Sequence, residues 1–234
     1  MYDMSELGLT ETTQLGADLR ELGLGHASLE EASQVVARGL VNAFVRAGRS
    51  DVVLARCYKT HPLAALPTDL GSFARGVFPG QSLDDDTQCL TLLGSFGDEP
   101  AWQSRRTSGS HKAIPLFSEK TVESLPMVAR LTLALGLDPS HVVRPDPELL
   151  IEKDREGFNV FHVEHASGSP YIPAQEAFVK RYGVRSVVGF GFVLPPASVF
   201  ATILFCRAHV TPDTAELFKT LALGLKSALL PLSD

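Results

Sequence analysis

The polar run DEPAWQSRRTSGSHK, Asp98 to Lys112, holds the groups in this chain best suited to gripping a small molecule. Trp102 is the chain's one tryptophan, and two arginines and a Ser/Gly-rich turn follow it between apolar segments. Arg105 or Arg106 offers a planar fork that matches a carboxylate or phosphate, with Ser108 and backbone N–H groups in support. The ordinary alternative is a surface loop whose arginines pair with Asp98 and Glu99. A second cluster is His162-Val163-Glu164-His165. On an extended strand His162 and Glu164 share a face and His165 opposes them, so the three converge only if the strand ends there. The spacing is not H-E-x-x-H, and nothing else in the sequence supplies further zinc ligands. Asp84-Asp85-Asp86 reads as a solvated loop, because adjacent carboxylates diverge and no second acidic cluster complements them for a divalent cation.

Enzyme signatures are missing. The sequence has no G-x-S-x-G, no Walker A motif and no dinucleotide fingerprint. Gly189-Phe190-Gly191 lies within a strand-like run and leaves one sheet face bare, which suits close approach of a ligand or a helix. Cys57, Cys89 and Cys206 are odd in number, widely spaced and set in or beside strand-like runs, which reads as buried free thiols in a reducing compartment. The expectation is a protein that is not an enzyme.

The elements that must position these groups are legible from periodicity. Phe158 to Val163, Arg185 to Leu194 and Val199 to Arg207 read as strands, the last two joined by a Pro195–Ser198 turn. Thr211 caps a terminal helix with Pro212 at its first position and Asp213 and Glu216 in or near the first turn. Its apolar arc (Leu217, Leu221, Leu225, Ala228, Leu229) is wide. Ser28 and Glu31 form a capping box before a stripe of Leu29, Ala32, Val36, Leu40 and Phe44. Asp51 to Lys59 and Cys89 to Phe96 read as strands and Ala113 to Leu116 as a short one. His61-Pro62 reads as a break. Asp69 to Gly76 reads as a short helix. The helical stretch from Ser118 or Glu119 to Gly136 must break or kink at Pro126. Arg144-Pro145-Asp146-Pro147 is a turn, and Glu148 to Asp154 a helical piece.

Gly183-Val184-Arg185-Ser186-Val187, the strand ending in Leu194-Pro195, the strand Phe200-Ala201-Thr202-Ile203-Leu204-Phe205, and Val210-Thr211-Pro212 before a Leu/Ala-rich helix together resemble the C-terminal half of a GAF domain. The arrangement is similar to the GAF-like sensory modules found N-terminal to PAS domains and histidine kinases in bacterial signalling proteins. The resemblance implies an α+β fold: a GAF/PAS-like antiparallel sheet flanked by N- and C-terminal helices, with a pocket on the other face and a helical insertion. It places His162 on a strand bordering the ligand cavity, where the family often carries Asp. That departure weakens transfer of a cyclic-nucleotide site, and a hydrogen-bonded structural histidine is the plainer reading. Bilin attachment through a Cys beside a His has no counterpart here, and the three cysteines do not form the pair used by GAF-fold methionine sulfoxide reductases. None of the seven histidines is singled out for haem. The cofactor is left undetermined.

Organisation is read as a flexible or partly helical lead over 1–25, with a short helix at Thr13 to Leu22. One elaborated domain follows over 26–234, with an insertion at about 97–145. The 44% hydrophobic content supplies a core. The net charge of −6, without a Lys/Arg cluster, argues against nucleic acid. No apolar run is long enough for a bilayer, and Asp3, Glu6 and Glu11 occupy the place of a basic signal-peptide region. The expected setting is cytoplasmic, with no membrane. Expected ligand contacts form a pool of Trp102, Arg105, Ser108, His111, His162, Tyr171 and Phe190, under a lid made by Trp102–His111 and Gly168–Phe178. Two functions stand beside each other, and a third, an enzyme on a GAF-like fold, needs a catalytic constellation that the sequence does not assemble. One is a ligand-binding sensor feeding a kinase or other output domain. The other is a ligand-free dimerisation or docking module using helices at 28–47 and 212–230, which could equally cover one sheet face within a monomer.

Overall fold

The computed structural model describes residues 1–155, 157 and 160–233. Two helices open the chain, α1 (Leu9–Gly23) and α2 (Leu29–Ala43). Two short strands, β1 (Val45–Arg46) and β2 (Arg49–Ser50), turn it into the long strand β3 (Val52–Pro62). Then come α3 (Thr68–Val77), β4 (Gln88–Gly97), β5 (Ala113–Pro115), α4 (Glu119–Ser124), α5 (Pro126–Ala134), α6 (Pro139–Val143) and α7 (Pro147–Arg155). Strand β6 (Val160–Val163), a π-helical turn (Gln175–Lys180), β7 (Ser186–Leu194), β8 (Ser198–Cys206), α8 (Pro212–Glu216) and α9 (Phe218–Leu229) complete it.

Six strands form one antiparallel sheet in the order β5-β4-β3-β8-β7-β6. Strands β3, β7 and β8 are buried along almost their whole length, so both sheet faces need cover. On one face α1, α2 and α9 enclose Leu15, Leu19, Val36, Leu40, Phe190, Phe200, Phe218 and Leu225. On the other, residues of α4–α7, the Trp102 loop and the π-helical turn pack over Leu92, Phe161, Val187, Ile203 and Phe205. Each such side chain stabilises the fold by about 1.5–3 kcal/mol relative to exposure. A smaller cluster sits under α3, around Leu63, Leu70, Ala74 and Cys89. This is the α+β arrangement expected of a GAF-like fold.

Local signals act as their chemistry requires. Ser28 Oγ accepts the Glu31 N–H at 3.2 Å, and Glu31 accepts the Ala27 N–H, closing the box one residue outside the cap. Thr211 Oγ1 accepts the Thr214 N–H at 3.2 Å. Leu125, extended before Pro126, separates α4 from α5.

Two features differ from the expectation. Strand β3 runs on through His61 to Pro62, which it can do because Pro62 lies at its end, where a missing N–H costs little. The lead contains a helix over Leu9–Gly23, longer than Thr13 to Leu22, which packs on α2 and α9 with Leu15 and Leu19 buried. Leu221, Leu225, Ala228 and Leu229 of α9 are therefore buried within the chain, while Leu217 is half-buried and Leu223 exposed. Phe158 and Asn159, read as the start of a strand, lie outside the described residues.

Helix α2 sits so close to the sheet that a Cβ at Gly94 would meet the Ser33 carbonyl oxygen at 2.3 Å. Both partners are backbone, so neither can rotate away. Gly94→Ala is expected to lower the unfolding free energy by about 1–3 kcal/mol, read as a lower urea midpoint at unchanged slope.

Candidate functional site

Alternation along β3 puts Leu54, Arg56 and Tyr58 on the sheet face away from α1, α2 and α9. With Ile203 and Phe205 of β8 they floor a cavity of about 320 Å³. Its walls are Trp102, Ser110 and His111 from the polar loop, Met127 of α5, and Ile172, Ala177, Phe178 and Tyr182. The size falls within the range of small-molecule sites, about 300–1,000 Å³. The aromatic wall is continuous: Trp102 lies 4.7 Å from Tyr182 and edge-on to Phe178 at 5.6 Å, and Phe178 stands edge-on to Phe205 at 4.9 Å. Tyr182 donates its hydroxyl to Glu99 Oε1 at 2.8 Å, which fastens the π-helical side to the Trp102 loop.

The polar end of the cavity is Arg56, 8% exposed. Its Nη1 donates to Tyr58 Oη at 3.3 Å and its Nη2 to Ser108 Oγ at 3.2 Å, while Nε has no partner. His111 stands at the rim with a left-handed backbone (φ 57°), a conformation that non-glycine residues adopt sparingly. Its pKa is lowered below the ordinary histidine value, first by desolvation and second by the Arg56 charge, so the ring is a neutral donor and acceptor.

The seven residues expected to meet at one site are only partly together. Trp102 and His111 line the cavity. Ser108 stands behind it, accepting from Arg56 and donating to the Ser110 carbonyl at 2.9 Å. Tyr171 packs under Arg130, 5.7 Å from guanidinium carbon to ring, next to Ile172 but outside the lining. Arg105 faces the α2 side, held at 2.7 Å by Glu30 and 3.4 Å by Asp69. The pairings first considered for it fall elsewhere, Asp98 to Arg207 and Glu99 to Tyr182. Phe190 points to the opposite face, against Phe218. His162 has Nε2 2.9 Å from the Val210 carbonyl and takes a structural role. The segments Trp102–His111 and Gly168–Phe178 both contribute walls. Arg56 and Tyr58, with apolar lining residues such as Met127, Tyr182, Ile203 and Phe205, lie outside the expected pool. The bare face at Gly189 and Gly191 is filled by neighbouring strands first: a Cβ at Gly189 would meet the Phe161 ring at 3.2 Å and one at Gly191 the Phe200 carbonyl oxygen at 2.3 Å, with Leu131 of α5 and Leu135 just beyond it at 3.4 and 3.3 Å.

Strand β6 does end at Val163, which frees Glu164 and His165 to turn toward His209. Glu164 Oε1 lies 3.4 Å from His209 Nε2, and the His165 and His209 rings stack at 5.4 Å. Among the described residues no group of three or more His, Cys, Asp or Glu is placed to hold a metal ion. The aspartates 84–86 are exposed, with Asp85 3.9 Å from Arg75. All three cysteines are buried. Burial pushes Cys57 up to about 12 and Cys89 to about 11, and raises Cys206 as well.

A second cavity, about 440 Å³, opens on the α2 side between Ser28, Lys59, His61, Leu70, Thr91 and Arg105. Lys59 Nζ donates to the Ser233 carbonyl at 3.2 Å. His61 is pushed down to about 4, by desolvation first and the Lys59 charge second.

No protein-family profile and no curated protein matches the sequence. Among solved structures, the free methionine-R-sulfoxide reductase of Neisseria meningitidis in complex with its substrate is similar at 10% identity, over 97% of this chain and 96% of that one, with a TM-score of 0.47. The phycoerythrobilin-bound GAF domain of a cyanobacterial phytochrome is similar at 12% identity, over 96% of each chain, TM-score 0.45. The GAF domain of a phosphoenolpyruvate-protein phosphotransferase from Coxiella burnetii is similar at 11% identity, over 95% of each chain, TM-score 0.46.

The state of His61 makes stability depend on pH. Below about pH 6.5 the unfolded chain takes up a proton there that the folded chain refuses until about pH 4, so stability falls as pH drops through that window. His61→Gln is expected to shrink the difference between urea midpoints at pH 7 and pH 5. An unchanged difference in the variant would show that His61 is not desolvated as described.

Proposed function

We propose that this GAF-like domain is a sensory or regulatory module that takes a small organic molecule into the Arg56–Trp102 cavity. The observation that carries the reading is the cavity itself, floored by the two central strands and walled by two segments that lack long regular structure. Such segments can change position on binding while the sheet holds the floor. The floor strands also present residues to the helical layer on their other face, so occupancy can bias α2 and α9 and, through them, a kinase or other output domain. A non-catalytic role agrees with thiols that burial keeps protonated, and free buried thiols agree with a cytoplasmic setting. Among the described residues, no helix is long and apolar enough to cross a membrane.

The second reading, a ligand-free dimerisation or docking module, is favoured by one observation. Leu24 and Leu223 are 48% and 57% exposed beside a groove between α1 and α9. Homodimerisation through the helical layer would then use the outer side of this pair as well as the helices at 28–47 and 212–230.

Native mass spectrometry followed by denaturation separates the two. A small molecule present natively and lost on denaturation is the expected result for the sensor. Trp102→Ala, which opens the aromatic wall, is then expected to release it. A protein that is dimeric and carries no small molecule, whatever extract it is purified from, would favour the docking module. Retention of the molecule by the Trp102 variant would place it outside this cavity.

A further inference from the structure

We infer that the ligand of this cavity is a monoanionic carboxylate with an aromatic or branched apolar body, its head held by Arg56; the inference rests on the cavity being the ligand site. Arg56 is a buried cation with more donors than partners. A guanidinium has five N–H donors. Arg56 spends two of them, both on neutral hydroxyl oxygens, Tyr58 Oη and Ser108 Oγ. Five minus two leaves three N–H groups without a protein acceptor among the described residues, one of them the buried Nε–H.

Buried Arg105 and half-buried Arg207 also leave Nε without a partner, but each has a carboxylate that Arg56 lacks. Arg105 has Glu30 and Asp69, and Arg207 has Asp98. No carboxylate of the described residues pairs with Arg56, and no Asp or Glu is among the cavity's lining residues. His111 at the rim carries no negative charge in either protonation state and so does not offset the guanidinium. An unpaired charge taken out of water is costly, and the cost is relieved by an opposite charge that brings its own acceptor oxygens.

The arrangement also selects which anion. One fixed positive charge balances a monoanion, whereas a phosphate monoester would bring nearly two negative charges to a site with no second cation. The guanidinium fork matches the two oxygens of a carboxylate. Tyr58 accepts from Arg56 and keeps its own O–H to donate. The Ser108 hydroxyl proton is engaged by the Ser110 carbonyl, so that side chain serves to orient Arg56. Away from Arg56 the lining is Trp102, Met127, Ile172, Phe178, Ile203 and Phe205, a surface for an apolar body and not for a sugar or a polar peptide.

The test uses the chain's own reporter. Trp102 is the one tryptophan and lies in the wall, so its emission reports on this cavity. The probes are 3-phenylpropionate, its neutral amide 3-phenylpropionamide, and 3-phenylpropylamine, which share one body and differ in head charge. The acid is expected to shift Trp102 emission with an affinity roughly 10- to 100-fold above the amide, the range for hydrogen bonds to a charged group. The amine is expected not to bind. Arg56→Gln is expected to erase the preference of acid over amide. Arg56→Met is expected to hold or raise the Tm of the ligand-free protein, because it removes an unpaired buried charge.

Amide or amine binding as tightly as the acid would overturn the carboxylate assignment and leave the cavity as the ligand site. A fall in Tm for Arg56→Met, with acid and amide equal in the unsubstituted protein, would make Arg56 a structural strut and overturn the assignment in a second way. Silence of Trp102 toward all three heads, up to the solubility of each, would overturn the cavity as a site for such bodies and the assignment with it.

Discussion

A sheet that is apolar on both faces must be covered twice, and most of the remaining structure follows from that constraint. Antiparallel sheets commonly leave one face to water, but β3, β7 and β8 here offer water neither. On one side the cover is regular: α1, α2 and α9 lie against it and against each other. On the other side it is assembled from short pieces, α4 to α7, the Trp102 loop and the π-helical turn. Short pieces meet imperfectly. The gap they leave over β3 and β8 is the Arg56–Trp102 cavity.

Within that apolar frame the polar residues of β3 are the exceptions, and each must be satisfied. Thr60 Oγ1 accepts the Val199 N–H at 2.9 Å, tying β3 to the start of β8. Lys59 reaches the Ser233 carbonyl. His61 sheds its charge, as its lowered pKa records. Arg56 can do none of these fully, because a guanidinium does not deprotonate in proteins and its two hydroxyl partners carry no charge. On the same strand Thr60 and Lys59 find acceptor or donor partners, His61 is left with a partnerless Nδ1 but without full charge, and Arg56 keeps a charge for something else to settle.

Much of this frame was legible in the sequence, because it rests on periodicity and on local capping chemistry. The β7–β8 hairpin, the Thr211 cap and the Ser28 box are short-range features whose signals lie within a few residues. The two segments named as lids also lie over the cavity, since polar runs between apolar strands have few other places to go. Facing was harder. Period two says that Phe190 and Phe192 share a face, but which face depends on the register with β6 and β8. Arg105 sits in a loop without a period, so nothing local told it to turn toward Glu30 and Asp69. The cover of α9 by α1 depends on contacts between the two ends of the chain, which no window reveals. Arg56 was different, for its signal was present: an arginine inside DVVLARCYK, two residues from both Leu54 and Tyr58, is a charge placed on a strand that must be buried.

The close packing of the helical layer bears on how occupancy of the cavity could be felt beyond it. Strand β3 alternates between the two layers, with Arg56 and Tyr58 toward the cavity and Ala55 and Cys57 toward the helices. Side chains that small leave little compliant material between strand and helix. At Gly94 the sheet meets the α2 backbone directly, and a Cβ at Gly224 would lie 2.6 Å from the Gly16 carbonyl, so α9 and α1 are also in backbone contact. Contacts between backbones cannot be absorbed by rotamer changes, as contacts between long side chains can. On the sensor reading, a shift of β3 at Arg56 therefore has to be taken up as movement of α2 against the sheet or by loss of that contact. Thermodynamic reciprocity adds a requirement: whatever partner holds the helices in one position must change the affinity of the cavity by the same factor.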